Sequence, residues 1–383
     1  MYVSFLRTIS TPRLAAVCAS ACALAAGGTA IALAGGEGSK PPPKPLAAAV
    51  HDGLTAPEVQ GITARVKFTN HLIDSSGIQG GNPLLSGATG RLWLSPGHGL
   101  RLELQSDNGD AQVVANQQGF WVYDGTSNTV YRGDAPKHKG RANERGHKVP
   151  SVAKIQRGLN RARKHKLDIS GPVPGNIAGQ PAYTVRVAPG RPGGLLGAVE
   201  LAWDAARGLP LRVGVYARGN NDPVLELVAT DVQYGPVADS TFSIDPPANA
   251  TVQDLSMNGG HQGRKSRQAV RRLPFAVSAP QTLAGRQRAG VRKVRIGGQK
   301  AALIRYGKDL DAILVVEKAA KPDTQSGARH GHFELPTADI NGATAKVIDT
   351  PLGSVVTFQR GGVSYTVLGS VPAEVTKAAA RGL

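Results

Sequence analysis

Short stretches in which apolar and polar residues alternate run through most of this chain, and they predict β-strands. Residues 91–131 show the pattern best: Leu100, Leu102 and Leu104 alternate with polar residues, as in a strand with one apolar face. Asp124-Gly125 supplies the turn chemistry of a hairpin within the same stretch. We therefore expect consecutive antiparallel hairpins whose apolar residues share one side of a curved sheet.

The same alternation recurs before and after this stretch. It predicts strands at 61–70, 182–188, 198–203, 211–216 and 224–234. No helical pattern separates most consecutive strands, so we expect an antiparallel sheet, either a twisted meander or an open barrel. A short helix is predicted at 47–54, and Pro246-Pro247 predicts the end of the sheet.

Residues 134–166 have a different character, because eleven Lys or Arg lie between 137 and 166 with Glu144 as the single acid. Ser151 can cap a helix in which apolar residues recur at three- and four-residue steps. The other face of that helix would carry a basic surface formed by Lys154, Arg157, Arg161, Arg163 and Lys164. Two interpretations remain open: the helix packs across the sheet with a solvated basic face, or that face contacts an anionic membrane surface.

Chain length and net charge limit the classes of molecule that this protein is expected to bind. The chain has 383 residues and a net charge of +18, which suits two or three domains and an acidic partner such as a membrane surface, a polyanion or an acidic protein. Scattered charge that only favours solubility is the alternative. Nucleic acid is disfavoured as a partner, because no aromatic residues are interleaved with the basic run to stack on bases.

The first residues predict export from the cytoplasm. Residues 1–34 combine Arg7 and Arg13 with an apolar run from residue 14, as in a signal peptide or an uncleaved N-terminal membrane anchor. Ala32-Leu33-Ala34 has the small-x-small spacing of a cleavage site. The only cysteines, Cys18 and Cys22, lie in this segment, so we expect no disulfide in the exported part. The predicted location is extracytoplasmic, either secreted or in the cell envelope.

The rest of the chain divides by composition. Residues 35–45 form a proline-rich spacer that we expect to be extended and solvated, and residues 46–254 form the first domain. Residues 255–273 are basic and glycine-containing, as in a linker. Residues 274–383 form a small C-terminal α+β domain, with strands predicted at 291–296, 301–306, 312–317, 345–348, 354–360 and 363–368 and a helix at 373–381.

Five segments of the first domain occur in an order typical of one family. They are GRLWLSPGHGLRLEL, VVANQQGFWVYDGTSNTVY, IAGQPAYTVRVAP, VELAWDAARGLPLRVGVY and ATDVQYGPVADSTFSIDPP. Together they resemble the outer-membrane lipoprotein carrier (LolA-like) superfamily, as in the N-terminal domain of RseB/MucB-type sigma-factor regulatory proteins. Segments of the second domain, including ALIRYGKDLDAILVVE, are similar to the small domain that accompanies LolA-like domains in such regulators.

This resemblance implies a mainly β fold of the α+β class: a curved antiparallel sheet or open half-barrel, closed by helices around an apolar cavity that takes acyl chains without catalysis. With the strand pattern, it gives a candidate cavity wall made of Phe68, Leu92, Leu94, Leu100, Leu102, Leu104, Val113, Trp121, Tyr123, Val185, Leu201, Trp203 and Val213. Ordinary core packing is the alternative role for these residues, above all for the tryptophans.

Catalytic motifs are absent from the sequence. It contains no G-x-S-x-G, no H-E-x-x-H and no phosphate-binding G-x-x-x-x-G-K-[ST], so we expect a protein that is not an enzyme and has no cofactor. His330-Gly331-His332 offers two metal ligands, but no cysteine or helical carboxylate accompanies them, and no metal site is predicted.

Two functions therefore remain. The first is a non-catalytic extracytoplasmic binding protein that holds a lipid or lipoprotein acyl chain in an apolar cavity. The second is an envelope-stress regulatory protein that binds a membrane-anchored anti-sigma factor or another membrane protein. The space in front of the leucines of residues 99–106 should distinguish the two, because a filled interior would leave an acyl chain without a site.

Overall fold

The computed structural model describes residues 39–72, 83–107, 109–134, 149–191, 193–254, 270, 272–296, 299–320 and 335–383. These residues form two β-sheets of twelve and eight strands. The predicted export segment 1–34, the histidines His330 and His332 and most of the predicted linker 255–273 lie outside the described residues.

The larger sheet contains the first twelve strands. They are β1 (Ile62–Asn70), β2 (Ala88–Ser95), β3 (Gly99–Ser106), β4 (Gly109–Asn116), β5 (Gly119–Asp124), β6 (Thr129–Asp134), β7 (Leu167–Ile177), β8 (Gln180–Pro189), β9 (Leu196–Asp204), β10 (Pro210–Ala217), β11 (Pro223–Tyr234) and β12 (Thr251–Asp254). Their order is β12-β6-β5-β4-β3-β2-β1-β11-β10-β9-β8-β7. The predicted antiparallel pairing is confirmed for β1 to β11, in two runs of consecutive hairpins, β1 to β6 and β7 to β11, that join where β1 pairs with β11.

One prediction about this sheet is wrong. The chain does not leave the sheet at the paired prolines, because β12 follows them and pairs in parallel with β6, with Thr251 opposite Thr129. The prolines fall in the connection, where the missing N–H groups cost no ladder hydrogen bond. A four-residue 3-10 helix, Asp239–Phe242, lies in the same connection and buries Phe242 against β3 and β4.

Helices cover one face of this sheet, which we call the inner face. They are α1 (Leu46–Thr55), α2 (Pro83–Ser86) and α3 (Val152–Lys164). Helices α1 and α3 contact each other, and both contact β7. Under them lies a cluster that contains Leu46, Ile169 and Trp203. Helix α3 begins after Ser151, whose hydroxyl accepts a hydrogen bond from the Lys154 N–H, so the predicted cap is confirmed.

The sheet is strongly curled, as an antiparallel half-barrel. Ala178, at the tip of the hairpin formed by the edge strands β7 and β8, packs against the cluster of Ala64, Val66 and Leu104 in the middle of the sheet. A flat sheet would keep this edge several strands away from that cluster. The curl therefore brings the two halves of the inner face towards each other.

Residues 39–45, part of the predicted spacer, lie against the sheet. The buried Tyr183 hydroxyl donates a hydrogen bond to the Pro42 carbonyl at 2.5 Å. The Asn176 side chain donates to the Ser39 carbonyl at 3.1 Å, and Lys44 pairs with Asp52 of α1 at 2.6 Å. These residues are extended, but they are packed on the fold instead of being fully solvated.

An aspartate organises the loop between β9 and β10. The Asp204 side chain is fully buried, and its carboxylate accepts hydrogen bonds from the Ala206 and Arg207 N–H groups, each at 2.8 Å, and from the Tyr234 hydroxyl. The Arg207 guanidinium lies over the Tyr234 ring, 3.9 Å from its centroid. Burial, followed by the nearby Asp204 charge, raises the pKa of Tyr234. Asp204 thus holds the β9–β10 loop in the conformation that places Gly208 against α1.

The outer face of β8 to β11 carries an ion-pair network. Arg212 donates to Glu226 at 2.6 Å, to Glu200 at 2.7 Å and to the Tyr216 hydroxyl at 2.6 Å. Burial alone would raise the pKa of Glu200, but hydrogen bonds from Tyr216, Arg186 and Arg212 outweigh it and hold the pKa below its ordinary value. The buried charges of this face are therefore paired.

The smaller sheet has the order β13-β14-β15-β16-β20-β19-β18-β17. Its strands are β13 (Thr282–Leu283), β14 (Arg286–Ile296), β15 (Gln299–Tyr306), β16 (Ile313–Ala319), β17 (Thr337–Ile340), β18 (Ala343–Thr350), β19 (Gly353–Arg360) and β20 (Val363–Gly369). Helix α4 (Ala373–Arg381) covers one face and completes the predicted α+β arrangement. Val270 and Leu273, at the end of the predicted linker, are buried in this core.

A carboxylate lies inside the second core. Glu317 of β16 is fully buried opposite Tyr365, and its Oε2 accepts a hydrogen bond from the Ser278 N–H at 2.9 Å. Among the described residues, neither Glu317 Oε1 nor the buried Tyr306 hydroxyl has a hydrogen-bond partner. Burial raises the pKa of Glu317 to about 7, partly offset by the Ser278 bond. Burial also raises the pKa of Tyr306 to about 12, which the Arg288 charge opposes.

Substituting Gly208 should destabilise the first sheet. Gly208 has a φ of +68°, and a Cβ there would lie 2.0 Å from the Gly53 carbonyl oxygen of α1. We expect Gly208→Ala to lower the free energy of unfolding by about 2–4 kcal/mol, because a strained backbone and a steric clash add up. Gly179→Ala is the matched control: its φ is +77° but its Cβ would meet open space, so only about 1–2 kcal/mol should be lost. Urea denaturation measures both, and equal losses would contradict the proposed contact.

Glu317 should make the second sheet more stable at lower pH. Its pKa is about 7 when folded and near the ordinary 4.5 when unfolded, so the folded state binds the extra proton. Protonation of Glu317 in the folded state contributes about 3 kcal/mol to the free energy of unfolding. This contribution is complete below pH 4.5, falls as pH rises to about 7 and is lost above that. Glu317→Gln should remove this dependence and be more stable than the parent at pH 8.

Urea-dependent hydrogen exchange of peptides from β15, β16 and β20 at pH 5, 6, 7 and 8 would measure the effect. Glu374→Gln is the control, because Glu374 is exposed and its hydrogen bond with Lys377 holds its pKa below the ordinary value, outside this pH range. A parent protein whose second sheet keeps the same stability from pH 5 to pH 8 would rule out the titration of Glu317.

Candidate functional site

An unbroken row of apolar side chains crosses the inner face from β2 to β6. Strand register places Leu92 opposite Leu102, Leu102 opposite Val113, Val113 opposite Val122 and Val122 opposite Tyr131. Directly opposite residues in antiparallel strands point to the same face. We call these five residues the apolar strip.

Every residue of the apolar strip is half-buried. At its β1 end, Leu92 lies opposite the buried Ala64 and packs against the central clusters of the sheet. A neighbouring row runs parallel to it and goes from buried to half-buried in the same direction: Ile62, Leu94, Leu100, Ala115 and Phe120. The described residues therefore leave apolar surface partly uncovered towards β6.

The far end of the apolar strip carries a hydroxyl group in a partly dehydrated setting. Burial, and then the negative charge of Asp124, raises the pKa of the Tyr131 phenol. Asp124 and Thr129 occupy the next row on the same face. The strip thus runs from an apolar core at β1 to a polar boundary at β6.

The structure places eleven of the thirteen predicted wall residues on the inner face, in two groups. One group lies on β1 to β4 and contains Phe68, Leu92, Leu94, Leu100, Leu102, Leu104 and Val113. The other lies on β8 to β10 and contains Val185, Leu201, Trp203 and Val213. In the first group, Leu94 and Leu104 are buried, and the other five are half-buried.

The second group serves mainly as core under the helices. Trp203 is buried with Leu46 and Tyr183, and Val185 and Leu201 pack against the same cluster. Val213 lies opposite both Leu201 and Leu227 and is half-buried. Of these four residues, Val213 is farthest from the helix-covered cluster.

The prediction is wrong for Trp121 and Tyr123, because both lie on the outer face. Trp121 is opposite Val114 and Arg132, and Tyr123 is opposite Gln112 and Val130. In β5 every residue from 120 to 123 is apolar or aromatic, so the pattern does not show which set faces inwards. The partners Val113 and Tyr131 place Val122 on the inner face, and side-chain alternation then turns Trp121 and Tyr123 outwards.

Val122 and Tyr131 are strip residues that were not among the predicted wall residues. The sequence carried no clear signal for them, because Gln117-Gln118 is not one of the residue pairs that mark a two-residue hairpin turn. In the structure this turn fixes Val122 opposite Val113. Tyr131 follows from the next hairpin in the same way.

Two clefts lie away from the apolar strip. One, of about 650 Å³, lies on the outer face between β4 to β6 and the connection leading to β12, and Trp121 and Arg132 line it. The other, of about 490 Å³, lies where the β8–β9 loop meets the β10–β11 turn. Leu92, Leu102 and Val113 line neither cleft.

The predicted basic surface lies on α3. All five of its residues are exposed, and no residue of α3 is buried: Lys154, Arg157, Arg161, Arg163 and Lys164. Leu159 and Ala162 pack against the cluster under α1, and Arg163 donates to the Ile169 carbonyl at 3.1 Å. Helix α3 therefore packs on the sheet through a few half-buried residues, and its basic face points to solvent.

The described residues offer neither a cluster of metal ligands nor a membrane-spanning helix. No group of three or more His, Cys, Asp or Glu in this part of the chain is placed to hold a metal ion. None of the helices in the described ranges is long and apolar enough to cross a membrane.

Comparison with known proteins finds similarity of fold to several solved structures. No family model and no curated protein matches the chain. Among solved structures, it is similar to Pseudomonas aeruginosa MucB in a MucA/MucB complex, with 17% identity and a TM-score of 0.39 over 87% of this chain and 94% of that one. A structure of MucB in complex with MucA(peri) gives 16% identity and a TM-score of 0.38 over 88% and 94%.

A putative outer-membrane lipoprotein-sorting domain from Vibrio parahaemolyticus is also similar, with 11% identity and a TM-score of 0.19 over 48% of this chain and 88% of that one. With TM-scores below 0.5, these likenesses describe the fold alone and support no statement about ligand or partner. The chain is similar in fold to MucB and to a lipoprotein-sorting domain, as the resemblance in its sequence predicted.

Proposed function

We propose that this protein is a non-catalytic, extracytoplasmic binding protein whose inner sheet face holds the acyl chain of a lipid or lipoprotein. The observation that carries the proposal is the apolar strip, a register-aligned row of half-buried side chains on the concave side of a curled sheet. Apolar side chains that are only partly buried in a contiguous row are typical of a surface that binds an apolar partner.

The dimensions of the row suit one acyl chain. From β2 to β6 it crosses four inter-strand spacings of about 4.8 Å, or about 19 Å in total. One acyl chain spans about 15 Å, half of the hydrocarbon core of a bilayer. Each methylene removed from water contributes about 0.8 kcal/mol, so about ten buried methylenes contribute about 8 kcal/mol, which is comparable to the cost of association and requires no covalent chemistry.

The polar end of the strip gives the bound chain a direction. Tyr131, Thr129 and Asp124 lie at the β5–β6 side of the inner face, where a head group or the cysteine of a lipoprotein can remain in water. The methyl end would then point towards Leu92 and the central core. Export and the two forms of the N-terminal segment, cleaved or anchored, stay predictions, as does the alternative function of binding a membrane-anchored anti-sigma factor.

Shortening two side chains in the middle of the apolar strip should weaken acyl binding. The variant Val113→Ser/Val122→Ser replaces two adjacent apolar groups with hydroxyls, at a cost of about 1 kcal/mol or more each in contact with an acyl chain. We expect its affinity for a fluorescent hexadecanoic acid analogue to fall about 10- to 30-fold. Displacement of the probe by unlabelled hexadecanoate should report the same ratio.

Val173→Ser is the matched control. Val173 is 60% exposed on the outer side of β7, so the same chemical change there should leave affinity within twofold of the parent. Circular dichroism would show that all three proteins keep their sheet content. If the parent protein does not take up the probe, or the strip variant binds as well as the Val173→Ser protein, the inner face is not the acyl site.

A further inference from the structure

The cleft of about 490 Å³ at one end of the larger sheet is rich in arginine. Arg186 reaches it from β8, Arg191 from the β8–β9 loop and Arg218 from the β10–β11 turn. Asp168 is the single acidic residue among those that line it. Three guanidinium groups from three segments of the chain therefore converge on one concave surface.

Two of these arginines have no acidic partner. Arg186 pairs with Glu200 at 2.9 Å and lies over the Tyr216 ring. By contrast, no carboxylate among the described residues pairs with Arg191 or Arg218, and both are exposed. Arg218 donates to the Gly193 carbonyl at 2.9 Å, which orients its side chain along the β8–β9 loop. Their positive charge is thus available to a ligand.

The rest of the lining consists of neutral hydrogen-bonding groups and backbone. Asn220 accepts a hydrogen bond from the Asp222 N–H through its side-chain oxygen, so its NH₂ group is left to donate. Gly197 lines the cleft as bare backbone, and only glycine fits there because a Cβ would lie 2.4 Å from the Ala217 carbonyl oxygen. Donors and open space are what a tetrahedral oxyanion requires.

The cleft adjoins the basic helix. The Gly190 N–H, at its edge, donates to the Lys166 carbonyl at 2.7 Å, just after the end of α3. Lys164 and Arg161 are exposed in the last turn of that helix. The positive potential of the cleft is therefore continuous with that of the basic surface, which would attract an anion before it reaches the arginines.

We propose that this arginine cleft is a binding site for a phosphate group, with Arg191 and Arg218 as its principal contacts. Guanidinium groups bind phosphate oxygens in bidentate fashion, and the volume of the cleft lies within the range of small-molecule sites. The phosphate can belong to a lipid head group or to a soluble phosphate ester. The proposal is independent of acyl binding, because no residue of the apolar strip lines the cleft.

The test uses the full exported chain and two probes that share the phosphate. sn-Glycerol 3-phosphate is titrated by calorimetry, and vesicles of phosphatidylglycerol in phosphatidylcholine are tested by flotation. Pure phosphatidylcholine vesicles, whose phosphate is neutralised by the choline cation, are the reference without net charge. Arg191→Gln/Arg218→Gln should weaken binding at least tenfold. Arg191→Lys/Arg218→Lys keeps the charge but loses the bidentate geometry, and it should weaken binding several-fold.

Arg292→Gln/Arg295→Gln is the matched control, because it removes the same charge from exposed positions of β14 in the other sheet. Its binding to both probes should stay within twofold of the parent. Equal weakening in both Arg→Gln pairs would show non-specific attraction to a basic protein and would overturn the proposal. Absence of binding to both probes would overturn it as well.

The two probes also distinguish the source of the phosphate. Vesicle binding that glycerol phosphate displaces would assign the cleft to a lipid head group. Binding of glycerol phosphate without vesicle binding would assign it to a soluble ester. In either case the loss in the Arg191→Gln/Arg218→Gln protein identifies the cleft as the site.

Discussion

Antiparallel pairing in register is the constraint on which the rest of the larger sheet depends. Each pair fixes which side chains share a face, so one row such as Leu92, Leu102, Val113, Val122 and Tyr131 is set by four successive pairings. A shift of one residue in any hairpin would move its apolar set to the outer face. The separation of an apolar inner face from a charged outer face is therefore a property of the whole ladder rather than of any one strand.

Polar side chains are arranged differently on the outer and inner faces of the larger sheet. On the outer face of β8 to β11, Arg212 bridges Glu200 and Glu226, so the charges that are partly buried there are paired. On the inner face, the polar residues of the apolar strip region collect at its β6 end. At the edge of the sheet, Arg191 and Arg218 have no acidic partner among the described residues. Among the described residues, positive charge is thus concentrated at the arginine cleft and along α3.

Helices and loops decide how much of the inner face remains open. Helices α1 and α3 bury the β8–β9 part of the inner face, with Trp203 in its centre. The loop that Asp204 orders brings Gly208 into contact with Gly53 of α1 and so holds this helix against the sheet. Towards β6, the described residues cover the sheet less. The same curved sheet therefore serves as core on one side and as the proposed acyl-binding surface on the other.

The sequence by itself determined the strands, the basic helix with its Ser151 cap and the mainly β, half-barrel class, because alternation and turn chemistry are local properties. It also placed eleven of the thirteen predicted wall residues on one face. It could not orient β5, where apolar residues occupy both faces, and so Trp121 was assigned to the wrong side. Only the tertiary structure decided that Trp203 is core and Leu102 half-exposed, because coverage by α1 and α3 depends on packing between segments distant in sequence. The arginine cleft likewise arose from the fold, since Arg191 and Arg218 meet only after β9 and β10 have paired.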